Sequence, residues 1–219
     1  MHRPSIFLIS FCLLASALLC GDFPALAQDA QDDLGLQLHS AAEICDMDAV
    51  RSLVKQGVNV NYPKPTLVGG VQTPLQSAIL ALSCLTKGAQ LPVVKFLLEH
   101  GAVLEDLKAG SALQFALMAH RNDGQSQDQV EVVQLLLAHG ANVRFHVQRT
   151  DGITETLLHT AVYLGDIESI KLLIRQGIDV NAKDSRGKTA LESIDDPDAI
   201  VADFVKKDMA RILKKAGAK

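Results

Sequence analysis

Aromatic side chains are scarce in this sequence of 219 residues, of which only 4% are Phe or Tyr and none is Trp. Hydrophobic residues still make up 48% of the chain and charged residues 21%, which is enough apolar material for one domain with a sizeable core. A core of small and medium side chains suits thin helices that pack closely. The composition is that of neither a disordered chain nor a membrane-spanning one.

The chain also lacks an excess of basic residues. Its 21 Lys and Arg are outnumbered by 25 Asp and Glu, for a formal net charge of −4. Nucleic-acid-binding proteins need a basic face because they neutralise phosphates. The charge balance therefore argues against a nucleic-acid partner and says little about a protein partner.

Catalytic and metal-binding motifs are absent as well. The sequence contains no H-E-x-x-H, C-x-x-C or G-x-S-x-G, and Gly69-Gly70 lacks the Lys-Ser/Thr of a phosphate loop. Asp195, Asp196 and Asp198 are close enough to suggest a cation site, but helix capping explains them more simply. We expect no cofactor, no metal and no enzymatic activity, and keep an enzyme as a remote alternative.

One long apolar run occurs, at residues 6–20, and its 15 residues are fewer than the roughly 20 that cross a bilayer. A short basic start precedes it, and Ala25-Leu26-Ala27 follows as a small-x-small cleavage site. We predict that residues 1–27 are a bacterial secretory signal, cleaved near Ala27 to leave a periplasmic or secreted protein that is not inserted in the membrane. A membrane anchor is the alternative. Lipidation at Cys20 is disfavoured because Leu19 stands where lipoprotein signals carry a small residue.

The best-defined motif lies in residues 156–191, TLLHTAVYLGDIESIKLLIRQGIDVNAKDSRGKTAL. It opens one residue away from T-P-L-H-x-A, and the next T-x-L begins at Thr189, 33 residues after Thr156. The stretch resembles an ankyrin repeat in both motif and period. The resemblance extends to looser copies along the chain, which would begin after a flexible lead-in at residues 28–35.

The resemblance implies an all-α solenoid over residues 36–219, made of about five helix-turn-helix repeats with lengthened hairpin loops. Each unit has apolar residues on two sides of its helices, so it needs a neighbour on each flank to bury them. A glycine follows the second helix in every unit and would supply a left-handed cap. The predicted repeats lie near 36–72, 73–110, 111–155, 156–188 and 189–219, and their capping glycines are Gly57, Gly101, Gly140, Gly177 and Gly217.

The units differ in length. Repeats two and three carry extra residues between their helices, near 82–92 and 121–128, so we expect their inner helices to run longer. The loops at 62–72 and 145–155 are also lengthened and should project from one edge. The last helix is expected to run from about Pro197 to Ala216, with Asp196 as its N-cap and with Phe204 among its inward residues.

Four histidines occupy repeated positions and are interpreted as structural. His39 and His159 fill the T-P-L-H slot, where the side chain ordinarily bonds to neighbouring backbone, and His100 and His139 precede capping glycines. The Thr of T-x-L-H can cap the first helix by accepting a backbone N–H.

Two cysteines, Cys45 and Cys84, remain once the signal is removed. Both fall near the same end of inner helices in adjacent repeats, which pack about 8–10 Å apart. In an oxidising compartment such a pair usually bonds, so we hypothesise a Cys45–Cys84 disulfide. The alternative is a pair of buried, reduced thiols.

Ankyrin arrays bind proteins, so the resemblance implies another protein as the partner. Exported bacterial proteins of this kind act as accessory factors of periplasmic catalase in peroxide defence or, alternatively, as immunity proteins against secreted effector toxins. The binding candidates are the loop residues that the repeat pattern does not explain, because aromatic and Arg side chains often dominate interfaces. They are Tyr62, Lys64, Leu67 and Val68 in the first long loop and Phe145, His146, Gln148 and Arg149 in the second.

Overall fold

A computed structural model describes residues 23–66, 70–81, 88–106, 110–119, 126–149, 151–196 and 201–219. Within these ranges it contains nine helices and three two-stranded antiparallel hairpins. The helices are α1 (Phe23–Glu43), α2 (Met47–Lys55), α3 (Pro74–Ile79), α4 (Gln90–Glu99), α5 (Ala112–Ala119), α6 (Ser126–Ala138), α7 (Leu157–Tyr163), α8 (Ile167–Arg175) and α9 (Asp203–Lys215). The strands are β1 (Lys64–Pro65), β2 (Val71–Gln72), β3 (Glu105–Asp106), β4 (Gly110–Ser111), β5 (His146–Gln148) and β6 (Thr154–Thr156).

The helices stack in two layers. The inner helices α1, α3, α5 and α7 pack in chain order, each on the next, and the outer helices α2, α4, α6, α8 and α9 do the same. Fully buried Leu75, Leu113 and Leu158, at equivalent positions of successive units, lie in one continuous apolar core. This confirms the predicted all-α repeat solenoid. In the fifth unit the inner element is reduced to turns at residues 191–195.

Two local predictions are confirmed at the helix ends. The five capping glycines all have φ between 77° and 96°, the left-handed region that side chains resist. Thr73 Oγ1 accepts a hydrogen bond from Gln76 N at 3.3 Å, and the Gln76 side chain accepts one from Thr73 N, which forms a capping box. Thr156 does not cap α7 with its side chain, because its hydroxyl meets the His159 ring instead.

The flexible lead-in expected at residues 28–35 is wrong, because these residues lie inside α1. Half of the stretch consists of the good helix formers Gln, Ala and Leu. The later turns of α1 also bury Leu38 and Ala42 completely, which anchors the helix to α2 and α3.

The longer inner helix expected in repeat two is also not found, whereas the one expected in repeat three reaches the boundary of the described residues and stays a prediction. Helix α3 ends at Ile79 and α5 ends at Ala119, while residues 82–87 and 120–125 lie outside the described ranges. The end of α3 has a specific cause, because Gln90 Nε2 donates to the carbonyls of Ala78 and Ile79 at 2.9 and 2.6 Å. These are carbonyls that a helix C-terminus leaves without partners.

The last helix begins later than predicted, at Asp203 rather than near Pro197. Asp196 is not its N-cap, because both of its carboxylate oxygens are engaged by Arg186 and Lys188. Phe204 is 71% exposed, so its inward assignment is wrong. Met209 and Leu213 are instead the buried residues of α9.

Candidate protein-binding surface

The lengthened loops at 62–72 and 145–155 contain β1–β2 and β5–β6, respectively. The second hairpin is the longer, with His146, Val147 and Gln148 paired to Thr156, Glu155 and Thr154. Successive strand residues point to opposite faces. Val147 is accordingly buried while His146 and Gln148 are exposed.

The first hairpin is fastened to α1. Tyr62 lies over Gly35 so closely that a Cβ at that position would come within 2.3 Å of its ring. Burial and a hydrogen bond with Asp32 both raise the pKa of the Tyr62 hydroxyl. Lys64 Nζ lies 2.8 Å from Glu43 Oε1. Tyr62 is therefore half-buried against its own chain rather than exposed, while Leu67 and Val68 lie outside the described residues.

The second hairpin is fastened to α7 by Arg149. Its guanidinium lies 4.9 Å from the centroid of the Tyr163 ring, and its nitrogens lie 3.0 Å from Asp151 and 3.6 Å from Glu155. A cation over an aromatic face is attracted by the ring quadrupole. Phe145 is half-buried against the core, so it too is less exposed than expected.

A row of exposed and half-exposed apolar residues on the inner helices was missed by sequence reasoning. Met118 is 54% exposed on α5, and Phe115 is half-exposed one turn before it. Tyr163 occupies the same position in α7 that Met118 occupies in α5 when the units are aligned on Ser111 and Thr156. Helices α5 and α7 pack side by side, so this row is continuous with the second hairpin. Aligning the units position by position is the signal that would have found it.

These residues define one candidate surface, which we call the inner-face surface. It combines an apolar strip with polar and cationic groups from the adjacent hairpin. Its members are Phe115, Met118, His146, Gln148, Arg149 and Tyr163.

The slot histidines are structural, as predicted. His159 Nε2 lies 3.0 Å from the Lys188 carbonyl. His39 Nε2 lies 2.8 Å from the Tyr62 carbonyl, and its Nδ1 lies 2.8 Å from Ser77 Oγ. Burial lowers the pKa of the His39 imidazole more than the Tyr62 hydrogen bond raises it.

Cys45 takes the left-handed position at the end of α1, with φ of 58°. The equivalent position in the fourth repeat is Gly165, with φ of 70°. Cys45 is disulfide-bonded, whereas Cys84 lies outside the described residues, so the pairing of the two stays a prediction.

Asp184 forms an ion pair with Arg186, and Asp196 forms ion pairs with Arg186 and Lys188. Burial acts to raise the pKa of Asp184, but hydrogen bonds from Lys188 N and from Arg186 hold it below its usual value. Asp198 lies outside the described residues. Over the described ranges, no group of three or more His, Cys, Asp or Glu is placed to hold a metal ion.

The same ranges contain no helix with the length and apolar character to cross a membrane.

Comparison with known proteins agrees with this architecture. The family model for ankyrin repeats (3 copies) matches residues 124–194. An ankyrin-repeat protein of fowlpox virus (strain NVSL) is 30% identical over 151 residues, which cover 68% of this chain and 39% of the relative. An alpha-latrotoxin of Latrodectus geometricus is 31% identical over 103 residues, covering 47% of this chain and 7% of the toxin.

A third relative, a homologue of transient receptor potential cation channel subfamily A member 1 in Caenorhabditis elegans, is 26% identical over 180 residues, covering 82% of this chain and 13% of the channel. The chain therefore spans well under half of the length of each of these relatives. The sequence motif, the stacked helices and the match to the family model all indicate ankyrin repeats. The chain is an ankyrin-repeat protein.

Proposed function

We propose that this protein is a non-enzymatic scaffold that binds another protein on the inner-face surface. The observation that carries the proposal is the exposed strip led by Met118, which lies beside a hairpin that Arg149 and Tyr163 hold in place. Exposed apolar side chains next to a fixed Arg and aromatic pair are typical of binding hot spots. Ankyrin repeats in general suggest a protein-binding function, and the proposal assigns that function to the inner-face surface.

The test is affinity capture with Met118→Glu. Partner proteins are recovered from the envelope of the producing cell on immobilised wild-type protein and identified, and their affinity for each variant is then measured. Met118→Glu should weaken binding by about tenfold or more, because it places a charge in the apolar contact. Val103→Glu is the matched control, since Val103 is 41% exposed but lies outside the surface. Equal affinity of both variants would refute the assignment.

For location, we propose an exported bacterial protein that acts in the periplasm or outside the cell. The support is the apolar run at 6–20 followed by the cleavage site that ends at Ala27. Cell fractionation with sequencing of the purified N-terminus tests it. A first residue of Gln28 in the periplasmic fraction is the expected result, and an intact Met1 in the cytoplasm contradicts it.

Within that location we propose an accessory role in peroxide defence, with toxin immunity as the alternative. Both rest on the resemblance to exported bacterial ankyrin proteins. Deleting the gene should lower periplasmic catalase activity and survival in peroxide if the first role holds. Unchanged catalase activity, combined with death on exposure to a co-expressed effector, would favour the second.

We also propose that the disulfide partner of Cys45 is Cys84. After cleavage at Ala27 these are the two cysteines left in the chain, and Cys45 is disulfide-bonded. Thiol titration of the denatured, unreduced protein should find no free thiol. Two free thiols per chain would end the proposal.

A further inference from the structure

Charge is distributed unevenly along the stack. Residues 23–50, which form α1 and the start of α2, contain six acidic residues and no Lys or Arg. Helix α9, at the other end of the outer layer, contains five Lys or Arg and two Asp. The solenoid therefore has one acidic end and one basic end, although its formal net charge is only −4.

The acidic end also exposes apolar side chains. Leu36 is 44% exposed and Ile44 is 56% exposed, whereas most large apolar side chains of the described residues are buried or half-buried. Exposed carboxylates surround them on α1 and at the start of α2. We define the acidic end as Asp33, Leu36, Ile44, Asp46 and Asp48.

Two nearby cations do not neutralise this end. Lys64 is paired with Glu43 at 2.8 Å on the hairpin side of α1. Arg51 lies with its guanidinium 5.9 Å from the centroid of the Phe96 ring, toward the second repeat. Both are thus engaged within the chain, which leaves the exposed carboxylates as the dominant charge there.

The basic end has the complementary composition. Phe204 is 71% exposed, the most exposed large apolar side chain of the described residues. It shares one face of α9 with Arg211 and Lys215, because residues seven and eleven positions apart fall on the same side of a helix. A groove between α8 and α9 runs along this face with Ile167 and Ile212 in its lining. We define the basic end as Phe204, Lys207, Arg211, Lys214 and Lys215, all of them exposed.

We propose that the acidic end of one copy of this chain docks on the basic end of a second copy, in a head-to-tail contact. Opposite charges would face each other, and Leu36 and Ile44 would be covered by Phe204 and the apolar lining of the groove. A symmetric contact of either end with itself would instead oppose like charges. Head-to-tail contacts leave one end of each kind free, so assembly continues beyond the dimer.

Salt sensitivity follows from this chemistry. Exposed ion pairs are individually weak and are screened over about 10 Å at 0.1 M salt and about 3 Å at 1 M. Protein purified after expression of the full chain should therefore show, in sedimentation equilibrium, an average mass that rises with concentration above that of one chain. In 1 M NaCl this rise should be reduced.

Charge-reversal variants test whether the acidic end and the basic end form the contact. Lys207→Glu with Lys214→Glu leaves α9 with three cations and four carboxylates, and Asp33→Lys with Asp48→Lys leaves residues 23–50 with four carboxylates and two cations. Each variant alone should therefore self-associate much more weakly than wild type. Mixing the two variants pairs opposite ends again and should restore association. Lys95→Glu with Arg144→Glu is the control for the Lys207→Glu, Lys214→Glu variant, because it makes the same change in net charge at exposed positions of the middle repeats.

Circular dichroism must show the same helix content in every variant. Wild-type protein that is monomeric at all concentrations would overturn the proposal. Association that survives both reversals, or two variants that fail to associate when mixed, would overturn it too. The test is independent of the inner-face surface, so Met118→Glu should leave self-association unchanged.

Discussion

A ladder of asparagine side chains connects successive repeats and has one gap. Asn61 Nδ2 donates to the Gly101 carbonyl at 2.9 Å, and Asn61 Oδ1 accepts from Val103 N at 2.8 Å. Asn181 makes the same two bonds to the equivalent backbone groups of the last unit. Each of these side chains therefore fastens one unit to the next.

The equivalent positions in the other units are Glu105 and Arg144. Glu105 still accepts a hydrogen bond, from Asn142 N at 2.8 Å. Arg144 is different, because a guanidinium carries donors and no acceptor. Arg144 therefore cannot accept a hydrogen bond from Asp179 N, the group of the fourth repeat that is equivalent to Asn142 N of the third. We predict that Arg144→Asn stabilises the protein by completing the ladder.

The expected gain is that of one additional exposed hydrogen bond, about 1 kcal/mol. For a chain of this size it corresponds to a rise in Tm of about 2–4 °C. Urea unfolding followed by circular dichroism measures the gain as a shift in midpoint. The transition should also sharpen, since stronger coupling between repeats makes unfolding more cooperative.

Arg144→Ala is the control, because it removes the guanidinium without supplying an acceptor. If Arg144→Asn is no more stable than Arg144→Ala, the ladder argument fails. Asn61→Ala provides the converse measurement, with an expected loss of about 1–2 kcal/mol for two bonds.

Three further predictions concern repeat one. The pKa of His39 is lowered in the folded protein, so its contribution to stability is present above pH 6.5, its usual pKa, and is lost as the pH falls below that value. His39→Gln should therefore match wild type at pH 8 and exceed it at pH 5 in thermal unfolding; a difference that is independent of pH would refute this. Cys45→Gly should stabilise the reduced protein by about 1 kcal/mol by relieving a left-handed backbone, yet destabilise the oxidised protein by about 3 kcal/mol through loss of a cross-link worth about 4 kcal/mol. A variant less stable than wild type under both conditions would contradict that reasoning. Gly35→Ala should cost about 1–3 kcal/mol in urea unfolding, because its new methyl group would collide with the Tyr62 ring. Adding Tyr62→Ala should remove most of that penalty, and an unrelieved loss would show that the collision is not the cause.

The repeated positions were predictable because their chemistry is local or recurs in every unit. The cap at Gly57 depends on its own backbone angles, and the bonds of His159 follow from its place in the motif. The ends of α3 and α9 were mispredicted because side chains from other segments decide them. Gln90 closes α3 from eleven residues away, and Asp196 is paired with the cations Arg186 and Lys188 of the preceding loop.

The candidate surface was predicted only in part for a similar reason. His146 and Gln148 are exposed as expected, since strand alternation is a local property. Tyr62 was predicted to be exposed because its contact with Gly35, a residue far away in sequence, cannot be predicted from the local pattern. Met118 was overlooked because an apolar residue in an apolar helix does not by itself show which side it faces, and its position has to be compared with that of Tyr163 in the aligned unit.

The side chain of Gln90 has a consequence for how this chain can change. It bridges the end of α3 to the start of α4, and its oxygen accepts from Gln129 of the next unit at 3.3 Å. The geometry between the two helices is thus secured by residues on either side of the intervening segment, independently of that segment's own length. Evolution, or a protein engineer, can lengthen or shorten the connection there at little cost to the scaffold, as long as Cys84 stays within reach of Cys45.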